Sequence, residues 1–247
     1  MTPATAIATV LAKANTFREK HAATPGVSST YGYFTSHPVS PLNRKRLTLM
    51  LDAIDARART LGRPLRVLDL ACGGGLIANT IATLGHTVLG LDLRDDEIGL
   101  ARAFTADVGS SARFDTADLL DDPTWEARAE AALGGKPDMI VLAYALHHFP
   151  RVEEFVARTS RWVDAGTQLL VNEENPESGI FRLKHVVRTW LQNDTDVEWH
   201  RTYGAWKDLL EQNAFATSAP KGADLLPLIA GIAPGGCWSL VFTGERR

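Results

Sequence analysis

Three aspartates each follow a short apolar run, at a spacing that could bind a nucleoside. Asp69 lies in "RVLDLACGGG", Asp92 ends "TVLGLD", and Asp118 follows "ARFDTA". If these runs are parallel strands, the carboxylates lie at or near their carboxyl ends, where open α/β sheets bind ligands. A carboxylate at the end of the second strand can accept hydrogen bonds from both hydroxyls of a ribose. A helix cap is the alternative for Asp92, and for Asp118 it is a cap on the helix near Pro123.

A glycine-rich turn follows the first of these acids. The run Gly73-Gly74-Gly75-Leu76-Ile77-Ala78 satisfies the GxGxxG/A pattern, with a predicted strand before it and a predicted helix after it. The turn alone would fit NAD. Asp69 argues against NAD, because a carboxylate beside the turn would repel a pyrophosphate and attract a cation. The two features together favour a ligand that has positive charge and no phosphate.

The adjacent His147 and His148 follow the fourth apolar run, in "LAYALHHFPRVEEF". A metal pair is disfavoured, since adjacent side chains point in different directions and no third ligand has a plausible spacing. A general base is possible because imidazole titrates near neutrality. A structural or pocket-lining role is favoured over both. Two further candidates for acid–base chemistry are Glu173, at the end of the fifth run, and His200, with a capping or solvated acid and a surface histidine as their alternatives.

The elements that must position these residues follow from hydrophobic periodicity. From Arg66 to Glu174 apolar runs alternate with helical patterns, which predicts a parallel sheet with right-handed crossovers. An amphipathic helix is predicted around residues 7–17 and another around 47–58. Between them, Tyr31 and Tyr33 lie in a segment too aromatic for a plain linker. After Glu174 the alternation breaks, and an inserted helix is predicted, with Trp190 and Trp199 as possible stacking partners of an acceptor.

Val67, Leu68, Asp69, Ala71, Gly73 and Gly75 together resemble the first motif of the class I S-adenosylmethionine-dependent methyltransferases. That motif has apolar residues, an acid and then a GxGxG loop, and Ala71 replaces its first glycine. The resemblance covers about residues 66–173. It implies a Rossmann-like α/β sheet, mostly parallel with an antiparallel C-terminal strand. It also implies N-terminal helices and a cofactor or substrate lid at 1–62, and a catalytic domain at 63–247 with a helical lid inserted at about 175–203.

The same resemblance assigns cofactor contacts. The loop backbone would touch the methionine part of S-adenosylmethionine, Asp69 its amino group, Asp92 the ribose and Asp118 the adenine amino group. The other implied contacts are Ala71, Gly73, Gly75, Leu93, Leu119, Ala143, Tyr31 and Tyr33. Tyr31 and Tyr33 could equally anchor the N-terminal segment to the core.

The activity implied is methyl transfer from S-adenosylmethionine to a small organic acceptor. Oxygen and nitrogen acceptors are favoured, while carbon stays open because "LHH" is similar to the quinone- and sterol-methylating branch. The candidate catalytic residues are His147, His148, Glu173 and His200, and no metal is expected. One alternative is an NAD(P)-dependent oxidoreductase, which would leave Asp69 and Asp118 without a role. Another is a cofactor-binding protein without turnover.

Composition limits the remaining classes of function. The 247 residues have a net charge of −3, which favours neither nucleic acid nor an anionic membrane. The two cysteines, Cys72 and Cys237, form no disulfide or zinc pattern. No secretory signal is evident, and no apolar run approaches the ~20 residues of a membrane helix. We therefore expect a cytoplasmic monomer or homodimer with a small-molecule substrate and no nucleic-acid or membrane partner.

Overall fold

The computed structural model describes residues 1–179, 181–183, 200–223 and 237–247. Most of the predicted insertion, including Trp190 and Trp199, lies outside these residues. The chain divides into two compact units, Met1–Val141 and Leu142–Arg247. Among the described helices, none combines the length and the apolar character that a membrane span requires. The division into a lid at 1–62 and a catalytic domain at 63–247 stays a prediction.

Three helices open the first unit: α1 (Pro3–Lys20), α2 (Val27–Thr35) and α3 (Ser40–Leu61). The two amphipathic helices predicted from periodicity are confirmed as α1 and α3, whose apolar stripes are buried. The aromatic segment between them is itself helical, because α2 begins after Gly26 and places Tyr31 in the core. α3 ends at Gly62, whose φ of +66° is a conformation that glycine adopts without steric cost.

The rest of the first unit alternates strands and helices: β1 (Arg66–Leu70), α4 (Leu76–Thr83), β2 (Thr87–Asp92), α5 (Asp95–Val108), β3 (Arg113–Thr116), α6 (Trp125–Leu133) and β4 (Met139–Ala143), whose last residues cross into the second unit. β1 pairs in parallel with β2 and β4, and β2 pairs in parallel with β3. Residues 67–70 of β1 are fully buried, as expected for a strand covered on both faces. The predicted parallel α/β arrangement is confirmed.

An ion-pair cluster joins the amino ends of β1 and β4. Asp138 accepts two hydrogen bonds from the Arg63 guanidinium, at 2.7 and 2.9 Å, and one from the Arg66 backbone amide at 2.8 Å. Burial alone would raise the pKa of Asp138, but these hydrogen bonds lower it to about 2. The register of the two strands is therefore fixed at the end away from the three acids.

The second unit contains a one-turn helix at Leu146–His148 and the elements α7 (Val152–Trp162), β5 (Gln168–Glu174), α8 (Tyr203–Gln212), β6 (Phe215–Thr217), β7 (Lys221–Ala223) and β8 (Ser239–Arg246). β8 runs antiparallel to β5, β6 and β7. The predicted antiparallel C-terminal strand is therefore confirmed as β8. β6 and β7 were not predicted, because three residues are too few to show an alternating pattern.

Candidate active site

The glycine loop has left-handed backbone at every second residue. The φ angles of Ala71, Gly73 and Gly75 are +54°, +50° and +73°. These are the three positions of the GxGxG motif, so the shape of the backbone explains why the motif requires glycine there. Ala71 adopts the same conformation with a side chain, at a steric cost of about 1–2 kcal/mol.

The three consecutive glycines face different neighbours. A Cβ atom on Gly75 would lie 2.6 Å from the Phe114 ring, and one on Gly74 would lie 2.5 Å from Thr30. A Cβ on Gly73 would have Glu97 Oε2 as its nearest neighbour, at 3.8 Å. Gly74 and Gly75 are therefore required for packing, whereas Gly73 is the point of the loop that a ligand can approach most closely.

Asp69 lies beneath this loop and is only 2% exposed. Its carboxyl group accepts a hydrogen bond from the Ala78 backbone amide, while Oδ2 has no partner among the described residues. Burial, followed by the nearby charge of Asp92, raises the pKa of Asp69 to about 8. A cation beside Oδ2 would supply the missing partner and keep the carboxylate ionised. The site therefore fits a ligand with an ammonium group.

Asp92 joins the loop to the start of α5. Its Oδ2 accepts a 2.8 Å hydrogen bond from the Gly73 amide, and its Oδ1 accepts one of 3.0 Å from the Arg94 amide. Asp92 thus has a local structural role, and each oxygen retains a further lone pair for a ribose hydroxyl. The next residue, Leu93, is 64% exposed, which leaves an apolar surface for a nucleobase.

Asp118 and Leu119 have local partners in the structure. Asp118 Oδ1 accepts hydrogen bonds from the amides of Leu120 and Asp121, at 2.9 and 3.0 Å. Leu119 is buried, and its carbonyl accepts a hydrogen bond from Trp125 Nε1. These contacts hold the turn before α6. The contact of both residues with adenine stays a prediction.

Tyr31 and Tyr33 lie in different environments. Tyr31 has no exposed surface, and its hydroxyl donates a 2.8 Å hydrogen bond to the Gly74 carbonyl. Its ring lies against Phe17 and Phe104. Tyr33 is half exposed. The geometry favours anchoring for Tyr31, which holds the loop from the side of α2, and the cofactor contact of both tyrosines stays a prediction.

Sequence reasoning missed Glu97, in the first turn of α5. This residue is 9% exposed, and its carboxylate accepts hydrogen bonds from Arg94 at 2.5 Å and from the Thr30 hydroxyl at 3.3 Å. Desolvation by burial raises its pKa. An acid in the first turn of a helix is ordinarily read as a favourable interaction with the helix dipole. No sequence signal therefore distinguished Glu97 from its exposed neighbours.

In the second unit, Ala143 ends β4 and a strained turn follows it. Tyr144 has a φ of +57°, which is unusual for a bulky side chain, and its amide donates a hydrogen bond to the Asn172 carbonyl. The next two amides, of Ala145 and Leu146, both donate to Glu173 Oε1, at 3.1 and 2.7 Å. A carboxylate on β5 therefore holds the turn that presents the histidines.

The second oxygen of the same carboxylate bonds His147. Glu173 Oε2 lies 2.5 Å from His147 Nδ1, and the side chains of the two residues are 3% and 6% exposed. In this bond the ring nitrogen donates to the carboxylate. The arrangement fixes the orientation of the ring and places the basic lone pair of neutral His147 on Nε2. His147 and Glu173, both predicted as candidate catalytic residues, are thus brought together.

The other two candidates surround this pair differently. His148 lies at the surface, although its ring centroid is 4.1 Å from that of His147. His200 stacks on His147 with a centroid distance of 4.6 Å, and its Nε2 lies 4.0 Å from Glu174 Oε2. The structure therefore places His200, but not His148, among the buried side chains around His147.

A metal ion is a second chemical possibility for this cluster. The sequence predicted no third ligand, whereas the fold brings His147, Glu173 and His200 together with one ligand atom of each within 4.8 Å of the others. The two imidazole planes are only 24° apart, so their lone pairs do not converge well on one point. Glu173 is also already bonded to His147 and two amides. Acid–base chemistry fits this geometry better than metal binding.

Comparisons with known proteins agree with the geometry of the glycine loop. The chain is 31% identical over 169 residues to a ubiquinone biosynthesis O-methyltransferase from Sinorhizobium medicae, and 33% identical over 169 residues to one from Brucella anthropi. In both cases the match covers 64% of this chain, and the chain spans 64% of the length of the relative.

Solved structures share the fold. Magnesium protoporphyrin IX methyltransferase from Synechocystis PCC 6803, with bound SAH, has a TM-score of 0.62 at 18% identity, with 87% of this chain and 97% of that chain covered. A possible histamine N-methyltransferase from Thermotoga maritima has a TM-score of 0.62 at 14% identity, with 94% and 98% covered. The model of a family described as a methyltransferase domain matches residues 42–219. Because this match spans more than half of the chain, the protein belongs to that methyltransferase family.

Proposed function

We propose that the protein transfers a methyl group from S-adenosylmethionine to a hydroxyl oxygen of a small organic acceptor. The observation that carries the choice of oxygen is the buried hydrogen bond between His147 and Glu173. A hydroxyl must lose its proton during methylation, and an imidazole oriented by a carboxylate can take it. The names of the curated relatives, both O-methyltransferases, support the same acceptor atom.

The cofactor would be held by residues of the first unit. The Gly73 backbone leaves room for its close approach, Asp69 would pair with the ammonium group, and Asp92 would bind the ribose. Leu93 and Leu119 would contact the adenine, with Asp118 at its amino group. When bound, S-adenosylmethionine supplies an electrophilic methyl group on a positively charged sulfur.

The protein residues would contribute orientation and proton transfer. His147 would accept the proton of the acceptor hydroxyl on Nε2, while Glu173 holds Nδ1 and stabilises the imidazolium that forms. Glu173 would act as a positioning residue, because its other oxygen is bonded to the Ala145 and Leu146 amides. The leaving thioether needs no acid, so alignment of acceptor and methyl would supply most of the remaining acceleration.

Neither alternative finds a supporting feature in the first unit. An NAD(P)-dependent oxidoreductase would have to place a pyrophosphate near Asp69 and Glu97, two acids that lie by the glycine loop. A cofactor-binding protein without turnover would not need the His147–Glu173 bond. The cytoplasmic location, the monomeric or dimeric state and the absence of nucleic-acid and membrane partners stay predictions from the sequence.

Product identification tests the proposal. The full chain would be incubated with S-adenosylmethionine bearing an isotopically labelled methyl group and with matched pairs of small aromatic acceptors, each as a phenol and as the corresponding amine. We expect label on oxygen in at least one phenol, located by mass spectrometry. Label on amines alone would contradict the assignment to oxygen. Cofactor binding without transfer to any acceptor or to a metabolite extract would favour a non-catalytic binder.

A further inference from the structure

Glu97 is a buried carboxylate beside the most open point of the glycine loop. Its Oε2 lies 3.8 Å from the position that a Cβ on Gly73 would occupy, and its side chain is 12% exposed. The proposed contacts with ammonium, ribose and adenine require other acids, so none of them accounts for Glu97. Its protein partners are Arg94, whose side chain is 57% exposed, and the hydroxyl of Thr30 on α2.

Three acids from three segments surround the loop at this point. Asp69, Asp92 and Glu97 all act electrostatically on Cys72, the residue before Gly73, and raise the pKa of its thiol together with burial. Arg94 is the cation that pairs with Glu97, and it is largely solvated. The unpartnered, 98% buried Oδ2 of Asp69 is a separate sign that a group absent from the protein chain completes this site.

We propose that Glu97 is a specificity-determining residue that makes the site prefer the charged cofactor, S-adenosylmethionine, over its demethylated product. The inference rests on the proposed function. In the transfer, the methyl carbon forms a bond to the acceptor oxygen, the S–CH3 bond breaks and its electron pair stays on sulfur. The acceptor proton goes to the base. The sulfonium thereby becomes a neutral thioether, and the ligand at the loop loses one positive charge.

Glu97 responds to that loss because it is buried. A carboxylate in a low-dielectric site interacts with a nearby cation much more strongly than an exposed one does. The charged cofactor is therefore stabilised by Glu97, while the product is not. The consequence for turnover is weak product inhibition, since the site releases the ligand that has lost its charge.

A packing role is the competing explanation for the same residue. Through Thr30, Glu97 also ties α2 to the start of α5. A role limited to this tie would affect cofactor and product equally, since both have the same adenosine and amino-acid parts. Charge selection instead affects the ratio of the two affinities. The ratio is therefore the quantity to measure.

Calorimetry on the full chain tests the proposal with three ligands: S-adenosylmethionine, S-adenosylhomocysteine, and an analogue in which an amine carries the positive charge in place of the sulfonium. For Glu97→Gln we expect the affinity for the two charged ligands to fall about tenfold, as for the loss of one partly screened charge. The affinity for S-adenosylhomocysteine should change less than about twofold. The amide keeps an oxygen that can accept from Thr30, and circular dichroism would confirm folding.

Two matched variants separate charge from packing. Asp96→Asn removes a negative charge in the same helical turn, at a side chain that is 75% exposed, and should leave the ratio unchanged. Thr30→Val removes the tie to α2 but keeps the charge, and should also leave the ratio unchanged. The proposal is overturned if Glu97→Gln weakens all three ligands equally or weakens none, or if Asp96→Asn shifts the ratio as much. Failure of every ligand to bind the wild-type protein would instead reject the proposed function itself.

Discussion

At the scale of single residues, the His147–Glu173 bond places the proposed acid–base chemistry in one buried contact. Glu173 uses one oxygen for the ring and the other for two backbone amides, so it orients the base and the turn together. His148, next in the chain, lies at the surface. Two neighbouring histidines are thus expected to differ sharply in their importance for turnover.

His147→Ala should lower kcat for a hydroxyl acceptor by about 10²–10⁴, the usual contribution of a general base. His148→Ala, the matched control, should lose less than about tenfold. Initial rates at saturating S-adenosylmethionine would measure both, with the acid limb of the pH profile as a second readout for His147. Turnover of the His147 variant near that of the wild type would show that the proton leaves by another route.

The Asp69→Asn variant tests the buried carboxyl group through pH. The pKa of Asp69 is about 8 in the folded protein against 3.8 when exposed. The unfolded chain therefore loses this proton first, and the free energy of unfolding should fall as pH rises from about 4 to 8. The slope is at most about 1.4 kcal/mol per pH unit, since one proton is involved. Asn at position 69 should remove this slope.

Urea denaturation of the ligand-free protein at several pH values would measure that effect. Asp96→Asn is again a suitable control, because its side chain is largely exposed. The same Asp69→Asn change should weaken S-adenosylmethionine binding even where it stabilises the ligand-free fold. Identical pH dependence of stability in the wild type and the Asn variant would show that Asp69 titrates normally.

At the scale of elements, the loop between β1 and α4 retains a cost that the family's glycine would avoid. Ala71 has a φ of +54°, whereas most of its relatives in the resembling motif would have glycine there. The left-handed region costs a residue with a Cβ about 1–2 kcal/mol, and glycine loses about 0.5–1 kcal/mol through its greater freedom when unfolded. The balance favours glycine slightly.

Ala71→Gly should therefore leave the free energy of unfolding unchanged or raise it by up to about 1 kcal/mol. Ala103→Gly, at an exposed position inside α5, should lower it by about 1 kcal/mol. Chemical denaturation of both variants gives the comparison. A loss at position 71 as large as that at position 103 would mean that the left-handed backbone is not strained there.

At the scale of the whole molecule, each of the two compact units contains one group of candidate residues. The acids and the glycine loop belong to the first unit, and the His147–Glu173 cluster belongs to the second. Membership of the methyltransferase family gives the two groups a common purpose. The proposed activity can therefore be tested through the stability of the full chain.

S-Adenosylmethionine should raise the thermal stability of the full chain, and NAD should not. At a concentration 100 times Kd, a ligand that binds only the folded state adds about 2.7 kcal/mol. For a chain of this size that corresponds to a rise in Tm of roughly 5–10 °C. Thermal melts with each ligand would measure it, with Asp92→Ala as the variant in which the rise should shrink. A larger rise with NAD would favour the oxidoreductase.

The sequence by itself determined the alternation of strands and helices, the glycine turn and the acids around it. These features are local: a strand, a turn and a helix start follow one another within about ten residues, and their periodicity and special backbone angles are visible in one window. Asp69, Asp92 and Gly73 could be chosen for that reason. The antiparallel C-terminal strand followed from the resemblance and is confirmed.

The tertiary structure alone decided which side chains meet across long sequence separations. His147 and Glu173 come from adjoining β4 and β5 segments, and no local pattern predicted that one carboxylate would bond both the ring and the turn before it. Tyr31 was equally suited to the cofactor or the core until its hydroxyl was found on Gly74. Glu97 had the sequence context of a solvated helix start, and only packing against α2 and the loop shows that it is buried. Burial and partner choice are properties of the folded chain, because they depend on residues far away in sequence.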